Sequence, residues 1–293
     1  IIFQRNKSTS KSNINMCLNY RTLYIFLTAI LAACPSFAEI PADNMQSIWN
    51  DIDRSVAAQQ WHTADSLIVK ALETNDDKAT AAMLLSNLGM IRYYAGNDSL
   101  AAATLTLAHD SAPASVTILA NRAKVYTSMG RIADAVNDYD NIEHLDSTYS
   151  DTYLYRGLIY LYSGNFEDAL FDLQKRESLS PDNEDTLIAM ATFYTITENF
   201  ENAVSYYTRL IRAQPQAEYY AGRALCALQL DRLVDASEDI ADGLDLDAGY
   251  SELYLCRAIL NKKRYCADDA RADADRAISL GANPARIKAL VGL

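Results

Sequence analysis

Apolar and small residues recur along this chain with a helical spacing, and the whole pattern returns every 34 residues. In residues 150–183 it reads Tyr153, Arg156, Gly157, Tyr160, Gly164, Ala169, Leu173 and Pro181. In residues 184–217 the same places hold Leu187, Met190, Ala191, Tyr194, Glu198, Ala203, Tyr207 and Pro215. Numbered within the repeat, positions 4, 7, 8 and 11 follow the i, i+3, i+4, i+7 rule of one helix face. Positions 20, 24 and 27 mark the inner face of a second helix. Small residues at 8 and 20, such as Gly157 with Ala169 and Ala123 with Ala135, let the paired helices approach closely. Gly96, Gly130 and Gly164 stand at position 15, where the first helix must turn through a left-handed conformation. Pro113, Pro181 and Pro215 stand at position 32 and stop the second helix.

The register extends in both directions. Residues 82–115 match with Leu85, Leu88, Gly89, Ala101 and Leu105, and residues 116–149 with Leu119, Ala123, Tyr126, Ala135 and Tyr139. Residues 217–250 and 251–284 are weaker but keep Tyr220, Ala224 and Ala236, then Tyr254, Ala258 and Ala270. Residues 45–81 form a degenerate first unit with Ile48, Ile52, Trp61, Ala64 and Ile68, followed by three extra residues. The expected organisation is a leader at 1–38, a linker at 39–44, a degenerate repeat at 45–81, six repeats at 82–284 and a capping segment at 285–293. A period of 34 with these residue types resembles the tetratricopeptide repeat. The resemblance implies an all-α, right-handed superhelical solenoid of about six to seven repeats.

Four repeats share a further correlation. Arg122, Arg156, Arg223 and Arg257 occupy position 7, and Asp138, Asp172, Asp239 and Asp273 occupy position 23 of the same repeats. Structural ion pairs between paired helices are expected, with bidentate geometry.

In proteins of this family, positions 2, 5, 9, 12 and 13 of the first helices face a peptide ligand on the concave side. Carried over, those positions are Trp49, Met83, Met90, Tyr93 and Tyr94 early in the chain. Further on they are Leu154, Leu158, Leu161, Tyr162, Ile188 and Ile196. The far end offers Leu225, Leu228, Leu255 and Ile259, closing with Lys262 and Lys263. Methionine adapts to varied shapes and tyrosine gives contact area at low entropic cost, so this lining suits a hydrophobic helix or extended peptide. Some leucines of the row, particularly Leu158, Leu225 and Leu228, have core packing as their alternative. Relatives that clamp a carboxylate tail use lysine at position 5 and asparagine at 9; Ser86 and Met90 stand there, so no such tail is expected.

Residues 1–15 precede Met16, the expected start of translation. Arg21 followed by the apolar stretch Leu23–Ala33 reads as a secretory signal, too short to span a bilayer. Two cleavage readings stay open: after Ala38, or before Cys34 as a lipidated cysteine in Leu31-Ala32-Ala33-Cys34. Either places the chain outside the cytoplasm, as a periplasmic or cell-envelope protein or an outer-membrane lipoprotein. The leader carries four of the 26 basic residues and none of the 38 acidic ones, so the chain beyond Ala38 has a net charge of −16. That disfavours nucleic acid and anionic lipid as partners, leaving lipidation at Cys34 as the route to a membrane. Cys226, Cys256 and Cys266 follow the leader, and a Cys226–Cys256 disulfide is one alternative.

No nucleophile elbow, phosphate loop or zinc motif is present, and His62, His109 and His144 fall on second helices of different repeats. The expectation is a non-catalytic protein–protein interaction module of the cell envelope, without cofactor or metal. The alternative is a structural subunit or homo-oligomer whose apolar face is permanently covered.

Overall fold

The computed structural model describes residues 42–292. The leader, with Met16, Cys34 and both cleavage readings, lies outside the described residues. Fifteen α-helices and no strands occur among the described residues. They divide into two compact units, one running to Thr152 and the other from Tyr153 onward.

The first unit contains α1 (Ala42–Ala57), α2 (Trp61–Glu73), α3 (Lys78–Tyr94), α4 (Asp98–Ser111), α5 (Val116–Ser128) and α6 (Ile132–Leu145). Helices pair as α1/α2, α3/α4 and α5/α6, and α2 and α4 also pack on α3 and α5. One expectation changes here. Helix α1 begins at Ala42, inside the stretch expected to be a linker, because nothing in Ala42-Asp43-Asn44 breaks a helix. The three extra residues before Ala82 belong to the first turn of α3, 17 residues long. Asp77 starts that helix early by accepting the Thr80 N–H at 2.7 Å.

The second unit holds most of α7 (Ser150–Ser163), then α8 (Phe166–Leu179), α9 (Glu184–Ile196), α10 (Phe200–Ala213) and α11 (Ala217–Gln229). It ends with α12 (Leu233–Leu246), α13 (Ser251–Lys263), α14 (Ala267–Ser279) and α15 (Pro284–Val291). Ser115, Asn183 and Asn283 cap α5, α9 and α15 through side-chain oxygens. Helix α15 covers α13 and α14 and buries Ile287 and Val291.

The small residues of the repeat do what helix spacing demands. A Cβ added to Gly89 would lie 2.5 Å from Leu105 Cγ, and one added to Gly157 would lie 3.1 Å from Leu173. The second helices end where proline follows, α4 at Ser111, α8 at Leu179 and α10 at Ala213. No helix among the described residues is long and apolar enough to cross a membrane.

Candidate functional site

In the first unit, the last turn of α3 presents Tyr93 and Tyr94, with ring centroids 5.3 Å apart. Trp61, the first residue of α2, stacks on Tyr94 at 5.9 Å. Helix α5 brings Lys124 over both tyrosines, its Nζ 5.8 Å from the Tyr93 centroid and 5.4 Å from that of Tyr94. Lys124 Nζ also donates to Tyr94 Oη at 3.3 Å. One turn earlier, Asn121 Nδ2 donates to Ser86 Oγ at 3.2 Å. Burial pushes the Lys124 ammonium below, and both tyrosine hydroxyls above, their ordinary ranges. Met83 and Met90 on α3 are half-buried. Trp49 is half-buried too, leaning on the core formed by Ile52, Ile68 and Leu88.

The second unit corrects four members of the ligand row. Leu154, Leu161, Leu255 and Ile259 are buried, at 4%, 2%, 1% and 7% exposure. Leu154 and Leu161 pack with Leu173, Met190 and Phe193; Leu255 and Ile259 pack with Leu228 and Leu260. The physical reason is that successive first helices, such as α11 and α13, touch side by side. These four side chains turn into that seam, where they lose water. Leu158, Ile188 and Ile196 remain half-buried and Tyr162 is 36% exposed. Lys263 pairs with Asp231.

All four arginine–aspartate couples meet. Arg122 Nε and Nη2 reach the two Asp138 oxygens at 2.8 and 2.7 Å, and Arg156 reaches Asp172 at 2.8 Å through both. Arg223 and Arg257 hold Asp239 and Asp273 in the same fork, with their shortest contacts at 2.6 Å. These guanidiniums also lie over neighbouring tyrosines, Arg156 over Tyr153 and Arg257 over Tyr254. Two arginines of similar role escaped the sequence pattern because they stand elsewhere in the repeat. Arg92 at position 11 donates to Asp65 at 2.7 Å and to Thr104 at 2.7 Å. Arg176 at position 27, where the other repeats have Ala108, Ile142, Leu210, Gly243 and Ala277, is buried and donates to Thr186 and Asn183.

Cys226 and Cys256 are free and buried, while Cys266 is free and exposed. Cys256 Sγ donates to the Ala221 carbonyl, and Cys226 lies 3.7 Å from Thr195 Oγ1. Burial pushes the two thiols up to about 12 and about 11, so they behave as packed hydrophobes. No group of acidic, histidine or cysteine side chains among the described residues is arranged to hold a metal ion.

A tetratricopeptide-repeat profile matches residues 185–216. No curated protein matches the sequence. Among solved structures, a tetratricopeptide-repeat protein from Parabacteroides merdae is 24% identical, with a TM-score of 0.65 over 84% of this chain and 97% of that one. The C-terminal part of a repeat protein from Cytophaga hutchinsonii is 16% identical, with a TM-score of 0.63 over 82% and 98%. YrrB, described as having an unusual peptide-binding site, is 20% identical, with a TM-score of 0.52 over 64% and 96%. At these identities the likeness is one of fold.

Proposed function

The chain is built of tetratricopeptide repeats, and we propose that it is a non-catalytic interaction module whose first helices take a peptide or helix of a partner protein. The observation that carries this reading is the half-buried row of the first unit. Met83, Met90, Tyr93 and Tyr94 stay at the surface of α3, whereas Leu154, Leu161, Leu255 and Ile259 of the same row in the second unit sink into the core. Surface methionines and tyrosines beside a stacked tryptophan supply deformable and rigid apolar contact together. The solved relative described as having a peptide-binding site agrees in fold with such a role. The proposal also places the chain in the cell envelope, supported by Arg21 and the apolar stretch Leu23–Ala33.

Affinity capture from cell-envelope extract tests the reading, with the chain as bait and a Met83→Glu/Met90→Glu variant of equal helicity beside it. A partner held by the parent and lost by the variant supports the first-helix face as the site. Equal capture by both moves the site elsewhere. A bait that recovers only its own copies overturns the module in favour of a self-associating subunit.

A further inference from the structure

We propose that Lys124 is the anchor for one side-chain carboxylate, aspartate or glutamate, on an otherwise apolar segment bound across Met83, Met90, Tyr93 and Tyr94. The inference rests on the binding reading above and gives the ligand a chemistry. Lys124 is half-buried, whereas every other lysine among the described residues is exposed. Arg92, Arg122, Arg156, Arg223 and Arg257 each meet a carboxylate within 2.8 Å. No carboxylate pairs with Lys124 among the described residues, although the sequence has 38 acidic side chains against 26 basic ones. Its neighbours are two aromatic faces and one phenolic oxygen.

Taking an ammonium out of water without a counter-charge is costly, and tyrosine faces return only part of its hydration. An arrangement of that kind is complete when an anion arrives. The donors for it are already in place. Lys124 spends one of its three N–H groups on Tyr94, whose own O–H is then left to donate outward. Asn121 spends one of its two amide N–H groups on Ser86. Asp98, at the start of α4, accepts from Ser128 at 3.1 Å.

The surroundings limit how acidic the ligand is. A chain of net charge −12 repels a polyacidic segment, and Met83 and Met90 offer it no cation. One carboxylate among apolar residues satisfies both the lysine and the methionines.

Selection from a random decapeptide library, amidated at the C-terminus so that no terminal carboxylate competes, tests this with the purified full chain. The parent is expected to select peptides with aspartate or glutamate at one fixed place. Lys124→Met should keep the fold, since it replaces a desolvated cation by an apolar side chain of similar length, and should weaken those peptides about tenfold or more. Lys124→Glu should turn the selection towards lysine or arginine at the same place. Selected peptides without an acidic preference, or equal binding by Lys124→Met, overturn the anchor. Peptides kept by Lys124→Met but lost by Met83→Glu/Met90→Glu overturn the anchor and leave the binding face standing. Peptides indifferent to every substitution, or no selectable peptide at all, overturn both.

Discussion

Asp172 shows how much a single side chain can carry in this molecule. Its carboxylate is 1% exposed and accepts both arms of Arg156, itself 7% exposed. Removing it takes the counter-charge from a buried guanidinium, which costs about 3–5 kcal/mol. Asp134, half-exposed against Arg131 on a helix surface, is worth about 0–1 kcal/mol. Asp273 stands between, because Arg257 is 40% exposed and can turn to water. Denaturant midpoints of the three alanine variants should therefore fall in the order Asp172, Asp273, Asp134; equal midpoints would remove burial as the cause. The four couples were legible in the sequence because both partners return at fixed places 16 residues apart. Arg92 and Arg176 were not, because a single arginine at an unusual place has no partner that the period can point to.

At the scale of the helix, the turn after each first helix is the sensitive joint. Gly96, Gly130 and Gly164 take φ values of 82°, 72° and 80° there. The same joint holds Gln59, Glu198, Asp231 and Tyr265 in other repeats, at φ values of 54–63°. A side chain in that conformation brings its Cβ against the backbone, and glycine does not. Glu198 is exposed, so replacing it by glycine is expected to raise stability by about 0.5–1 kcal/mol in thermal unfolding. An unchanged or lower Tm would mean that this turn is not strained. The period located the three glycine joints and the one at Glu198 from the sequence.

Within each unit, contacts run between neighbouring helices, as expected where each repeat buries its face on the next. Stability should then be lost locally. Leu173 is fully buried at the centre of the α7/α8 pair, and Leu173→Ala removes about 2–5 kcal/mol of packing. Hydrogen exchange should speed up most in α7–α9 and least in α13–α15. Uniform acceleration through the second unit would show that it unfolds as one body instead.

The sequence by itself determined the repeat, the pairing of helices within it, the glycine turns and the arginine–aspartate couples. All of these depend on spacing along the chain, and a 34-residue period expresses spacing directly. Only the tertiary structure decided which members of the ligand row are surface. Leu154 and Met90 stand at equivalent kinds of position, but one enters the seam between first helices and the other stays half-exposed. Lys124 belongs to the same lesson. Its want of a carboxylate depends on what every neighbouring helix places around it, and no pattern along one helix carries that information.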